Sequence, residues 1–325
     1  MSALTDTFGI TTPIVLAPMA GVAGGRLAHA VSSAGGLGMI GTSGSFSPDW
    51  IREQAAIAGE GATPLRGAHA ERGTHSVAPQ GTAFGIGLMA WVPQLPAQIE
   101  AILALGVEDR PALVSVSFGD VAGPIRTLRE AGLAVACQVG NAADVAAATA
   151  AGADVIVARG GEGGGHGRNE MATGEILALA LDETDAPVLA AGGIADAADV
   201  SRVMTAGAAG AWCGTAFLTC REGENTPEAR AAIGRAQATR YSRVHDVAQD
   251  LAWPREFGGR AVTTPFLEQW ADREDEMTDA ARAEHAAGKE RGDTDYTPLY
   301  AGVGVDRLSA PTDAASVVTA LTPRG

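Results

Sequence analysis

The chain has 325 residues, 46% of them hydrophobic, enough for one large core or a barrel with an appended subdomain. A formal net charge of −15 sets its surface against phosphate backbones and argues against a nucleic-acid partner. Three cysteines, Cys137, Cys213 and Cys220, form neither a disulfide framework nor a zinc spacing, no apolar run reaches 18 residues, and no leader pattern opens the chain, so the expectation is a cytoplasmic protein with no metal site and no membrane segment.

From residue 13 onward, short apolar runs alternate with Ala-rich helical stretches. Strands are predicted at 13–17 (PIVLA), 37–41 (LGMIG), 83–89 (AFGIGLM) and 112–117 (ALVSVS). Four more follow at 134–138 (AVACQ), 153–158 (ADVIVA), 187–191 (PVLAA) and 210–214 (GAWCG). Helical patterns fall between them, near 25–34, 48–58, 96–105, 122–131, 141–151, 174–183 and 196–206. Most strands are apolar throughout rather than alternating, as suits strands buried on both faces. Cys137 and Cys213 lie within such runs and read as small core residues. Several helices finish in Ala-Gly directly before a strand (AGGLG, AGLAV, AGADV, AGAAG), the pattern of a C-terminal glycine cap. Eight β-α repeats point to the α/β class and a (β/α)8 TIM barrel; a doubly wound open sheet is the other arrangement this alternation allows.

Two segments break the repeat. Residues 59–82 are polar and rich in Gly and Pro, and read as a surface insertion on the face opposite the site, with His69 and His75 solvated. Residues 222–297 carry helical patterns near 226–238 and 265–288 without strand alternation. They read as a helical lid on a barrel made of 1–221 and 298–325. Their acidic cluster, Glu268, Asp272, Glu274, Asp275, Glu276 and Asp279, reads as a solvated helix face.

Two glycine-rich turns close the seventh and eighth repeats: Ala191, Gly192 and Gly193 ahead of a helix opened by Asp196 or Asp199, and Gly214-Thr215. In a barrel these adjacent strand ends form a common phosphate site, with backbone N–H groups and helix N-termini facing the anion. After the sixth strand, Arg159 to Arg168 reads RGGEGGGHGR. Only Arg159, Glu162, His166 and Arg168 in it carry functional side chains. Ordering so many glycines is costly, and the cost makes sense where backbone must lie flat against a large planar ligand. His166, at the carboxyl end of a strand, is the candidate proton-transfer group.

The stretches LAPMAGVAGGRLAHAVSSAGGLGMIG, GGEGGGHGR and PVLAAGGIADAADVSRVMTAGAAGAWCGTAF resemble the nitronate monooxygenase family, formerly the 2-nitropropane dioxygenases. DYTPLYAGVGVDRL resembles it more weakly. The resemblance implies FMN bound non-covalently. By motif position, the backbone at Pro18 and Met19 would face the flavin ring, with Gln138 beside the flavin or ribityl. Gly164 and Gly165 would line the cofactor, and Ala191, Gly192, Gly193, Gly214 and Thr215 would hold its phosphate. His166 would take the α-proton of a nitroalkane or steady a nitronate anion, and reduced flavin would react with molecular oxygen. Three positions depart from the family pattern: Gly87 where an Asn is frequent, Gln138 where some members have Lys, and Ala216 where Arg often follows Gly-Thr.

Other readings of the same barrel stay open. They are an FMN-dependent NAD(P)H enoyl-thioester reductase, an NAD(P)H:quinone reductase and a non-enzymatic flavin carrier. The lid aromatics Tyr241, Trp253, Phe257 and Tyr296 are expected to shape the substrate pocket. The small-molecule substrate stays unnamed, and a homo-oligomer is compatible with the sequence.

Overall fold

The computed structural model describes residues 3–60, 83–308 and 311–324; the expected insertion with His69 and His75 falls almost wholly outside them. The strands are β1 (Ile14–Leu16), β2 (Gly38–Gly41), β3 (Phe84–Met89), β4 (Leu113–Ser117), β5 (Ala134–Val139), β6 (Val155–Arg159), β7 (Gly165–His166), β8 (Val188–Ala191), β9 (Gly210–Cys213), β10 (Thr239–Ser242) and β11 (Gly259–Val262).

Eight of them form one parallel sheet in the order β1-β9-β8-β6-β5-β4-β3-β2. Its ends meet. Leu16 N–H donates to the Leu37 carbonyl at 2.9 Å, and Leu37 N–H donates to the Ile14 carbonyl at 2.9 Å, so the sheet is a closed barrel. Every residue of β1, β2, β4, β6, β8 and β9 is buried, as expected of strands covered by helices outside and packed side chains inside. Cys137 on β5 and Cys213 on β9 belong to the barrel core, and burial pushes both thiols up to about 12. The Ala-Gly helix ends behave as their sequence requires: Gly35, Gly132, Gly152 and Gly207 all take positive φ, which lets the chain leave each helix and turn directly into a strand.

The segment after the barrel carries helices at Pro227–Ile233, Val244–Ala248, Pro265–Trp270 and Asp279–Glu290. It also contains β10 and β11, which the absence of alternation in the sequence did not suggest. These strands pair antiparallel with each other, and β11 pairs antiparallel with β7 in the glycine loop. The segment has its own apolar cluster around Val244, Ala261, Phe266, Leu267 and Trp270. The helix Ala314–Leu321 then packs into the barrel core. None of the described helices is long and apolar enough to cross a membrane.

Candidate active site

A cavity of about 690 Å³ opens at the carboxyl ends of the barrel strands. It is lined by Pro18, Met19, Gln138, Gly164, Gly165, His166, Ala191, Gly192, Gly193, Gly214 and Thr215, so the loops singled out in the sequence converge on one space. Of the four lid aromatics, only Trp253 lines it. Tyr241 lies behind the glycine loop, donating its hydroxyl to the Gly167 carbonyl at 3.0 Å and accepting from Gly258 N–H at 2.8 Å. Phe257 packs edge-on against Phe118 and under the Arg168 guanidinium. Tyr296 packs on Phe266 and donates to Glu284. Tyr300, which the sequence did not single out, lines the cavity beside His166 instead.

The glycine loop folds around one buried cation. Arg159, at the end of β6, is 3% exposed. Its guanidinium donates to the carbonyls of Gly163 (2.6 Å), Gly165 (3.0 Å) and Arg168 (2.7 Å). Burial pushes this guanidinium down to about 10, which still leaves it charged at neutral pH. A Cβ at Gly163 or Gly167 would strike that guanidinium at 2.7 or 2.6 Å, and one at Gly164 would strike the Ala301–Gly302 backbone at 2.5 Å. Gly163, Gly164 and Gly167 are thus required by close packing against protein, although Gly164 also lines the cavity. Gly165, which also lines the cavity, is different in that it takes φ +70° and its Cβ position meets nothing within 4 Å.

The loop's other charged groups also hold structure. The Glu162 carboxylate accepts from Thr173 N–H and hydroxyl, both at 2.9 Å. Arg168 pairs with Asp144 at 2.8 Å and Glu170 at 3.2 Å. His166 lines the cavity with a ring nitrogen held by a carboxylate. Its Nε2 lies 2.8 Å from Asp246 Oδ1, with the His166 side chain 10% exposed and that of Asp246 1%. The Trp253 indole stacks on the imidazole at 3.7 Å between ring centres and 3° between planes. Asp246 comes from the helix Val244–Ala248 in the segment after the barrel, 80 positions away in the chain. Burial, then the Asp246 charge, holds the Tyr300 phenol well above its usual range, so Tyr300 stays neutral.

The two phosphate-turn candidates are bound together by a segment not foreseen as part of the site. Gly302 N–H donates to Thr215 Oγ1 at 2.9 Å, and Val303 N–H donates to the Glu162 carbonyl at 3.0 Å. Arg307 braces the other turn, donating to the Gly193 carbonyl at 3.0 Å and pairing with Asp199 at 2.7 Å. Asp196 caps the following helix, accepting from Asp199 N–H at 2.9 Å. A signal existed in Gly302-x-Gly304, but a lone pair of glycines near a chain end is unspecific. At Gly87, a Cβ would meet the Pro18 ring at 2.4 Å, so the loop carrying Pro18 and Met19 occupies the space that a side chain there would need.

A family model described as Nitronate monooxygenase matches residues 1–324. A nitronate monooxygenase of Paraburkholderia phytofirmans is 32% identical over 335 residues, covering 92% of this chain and 88% of that one. One of Pseudomonas aeruginosa is 30% identical over 344 residues, covering 93% and 94%. Among solved structures, FabK from Thermotoga maritima aligns with a TM-score of 0.80 at 25% identity, covering 99% of this chain and 94% of that one. A nitroalkane oxidase from Streptomyces ansochromogenes aligns with a TM-score of 0.77 at 26% identity, covering 98% and 96%.

Proposed function

The chain belongs to the nitronate monooxygenase family and is an oxidoreductase, and from that premise we propose that it uses FMN to oxidise alkyl nitronates, or the nitroalkanes that give them, with molecular oxygen. The observation that carries this reading is the cavity-lining imidazole of His166, held at Nε2 by a buried carboxylate and flat against Trp253.

The residues present fit a flat cofactor ending in one phosphate. Gly165 offers a surface with nothing at its Cβ position. The turns of Gly192-Gly193 and Gly214-Thr215 adjoin at the end of the cavity closed by Gly302. Thr215 Oγ1 accepts from Gly302 and keeps its own O–H to donate to a phosphate oxygen. Pro18 and Met19 would lie along the ring and Gln138 beside it. FMN, when bound, supplies electron transfer between substrate and oxygen. The chain's own contribution is positioning, exclusion of water by the lid, and handling of one proton. A neutral nitroalkane loses its α-proton to the imidazole of His166; a nitronate arrives without that proton and is steadied as an anion. We also assign substrate enclosure to residues 222–297, seated on a barrel of 1–221 and 298–325, because the segment brings its own apolar cluster and supplies Asp246 and Trp253.

The test is anaerobic mixing of the flavin-loaded protein with a nitronate and, separately, with NADPH, followed by flavin absorbance. Bleaching by the nitronate and a return on admitting oxygen are expected; bleaching by NADPH alone would replace this reading with a reductase. Release of FAD rather than FMN on denaturation would overturn the cofactor assignment. With His166→Asn, oxidation of a neutral nitroalkane should fall on the order of 10²–10⁴-fold, and oxidation of the preformed nitronate far less.

A further inference from the structure

We propose that Asp246 is a positioning residue that fixes the tautomer of His166, placing the ring proton on Nε2 and leaving Nδ1 as the base. This rests on the reading of His166 above and extends it to a residue 80 positions away on the lid.

The contact is direct and dry. Asp246 Oδ1 lies 2.8 Å from His166 Nε2, and the Asp246 side chain is 1% exposed. Among the described residues, no Lys or Arg forms an ion pair with Asp246; His166 is its partner. Oδ2 is buried without a hydrogen-bond partner. A carboxylate this buried is costly unless something uses its charge. Beside it, the Tyr300 phenol stays neutral and hydrogen-bonds to the same carboxylate. His245, its chain neighbour, is pushed down to about 3 by burial, then by His285, His166 and Lys289, so it is also neutral.

An ionised carboxylate can only accept a hydrogen bond, so its nearest ring nitrogen must carry the proton. With one ring proton, His166 therefore holds N–H at Nε2 and a lone pair at Nδ1. When a nitroalkane C–H bond breaks, the proton forms a new N–H bond at Nδ1. The C–H electron pair becomes the C=N bond of the nitronate, whose negative charge sits on the nitro oxygens. The ring then carries a full positive charge, with Asp246 2.8 Å from one nitrogen and the Trp253 face 3.7 Å away. The wall behind is shaped for this: a Cβ at Gly259 would strike Tyr300 at 2.6 Å and come within 3.5 Å of His166 Nε2.

Two measurements on the flavin-loaded protein test the assignment. The first is the side-chain ¹⁵N shifts of His166 at pH 8. Protonated Nε2 and unprotonated Nδ1 are expected in the wild type, and the opposite tautomer overturns the proposal whatever the substrate. The second is steady-state kinetics of Asp246→Asn with a neutral nitroalkane and with its preformed nitronate. The expected result is a loss in kcat/KM on the order of 10²-fold for the neutral substrate and less than about threefold for the nitronate, at unchanged flavin content. Asp246→Glu should recover part of the loss. An equal loss on both substrates would make Asp246 merely structural, and no loss on the neutral substrate would remove it from the mechanism. If the wild type oxidises neither substrate, the functional reading falls while the ¹⁵N result still decides the tautomer.

Discussion

Arg159 shows how one side chain can order a loop that its own sequence would leave slack. Three backbone carbonyls of the glycine loop converge on a guanidinium that is 3% exposed. Hydrogen bonds to a charged donor are worth roughly 1.5–3 kcal/mol each, and Arg159→Met would leave those carbonyls without their donor. Arg159→Met should lower stability by about 3 kcal/mol or more, read by thermal unfolding, and reduce occupancy by the proposed flavin. Unchanged melting would show that the glycines order themselves. The sequence marked Arg159 as one of four side chains able to act here, and marked His166, which lines the cavity, as a candidate because a histidine among glycines has few structural duties. It could not mark Asp246. One aspartate in VHDVAQD has no periodicity or spacing that ties it to a loop 80 residues earlier. That pairing is created by the strand contact of β11 with β7, a property of tertiary structure alone.

At the scale of elements, the barrel was legible because most of its strands are continuous apolar runs and several of the helices before them finish in Ala-Gly. The two lid strands were not. Each has only four residues, TRYS and GRAV, and β10 is mostly half-buried, so neither gives a hydrophobic signal of its own. The helix Val244–Ala248 and the helix Asp279–Glu290 meet through a pair of buried histidines, His245 Nδ1 and His285 Nε2 at 3.3 Å. Burial is the first cause that lowers both, His245 to about 3. Unfolded, each would take up a proton near pH 6.5, so the unfolded chain binds more protons and stability falls as pH drops through that value toward 3. For His245 alone the loss amounts to about 2 kcal/mol by pH 5. Melting temperature should fall between pH 7 and 5. The paired substitution His245→Leu with His285→Leu should flatten that limb, and an unaltered slope would assign acid sensitivity elsewhere.

Over the whole molecule, a charge of −15 works against an anionic substrate before any contact is made. The single lysine of the chain, Lys289, lines the cavity and accompanies Gln249 there. Its attraction is local, whereas the repulsion comes from the entire surface. At 10 mM salt the screening length is about 30 Å and the full charge is felt; at 150 mM it is about 8 Å. Raising salt over that range should increase kcat/KM for a nitronate by roughly threefold and leave the neutral nitroalkane unaffected. A fall for the nitronate, seen by stopped flow, would mean that Lys289 dominates the approach. The antiparallel pairing of Gly165 and His166 with Gly259 and Arg260 reaches further than holding a ring in place. His166 belongs to the barrel by sequence and to the lid by hydrogen bonding. A lid that swings aside must therefore either carry the imidazole with it or let go of the rung beside it. Were residues 222–297 to leave the barrel, the imidazole would lose Asp246 and Trp253 together, so the proposed base is complete only with that segment seated.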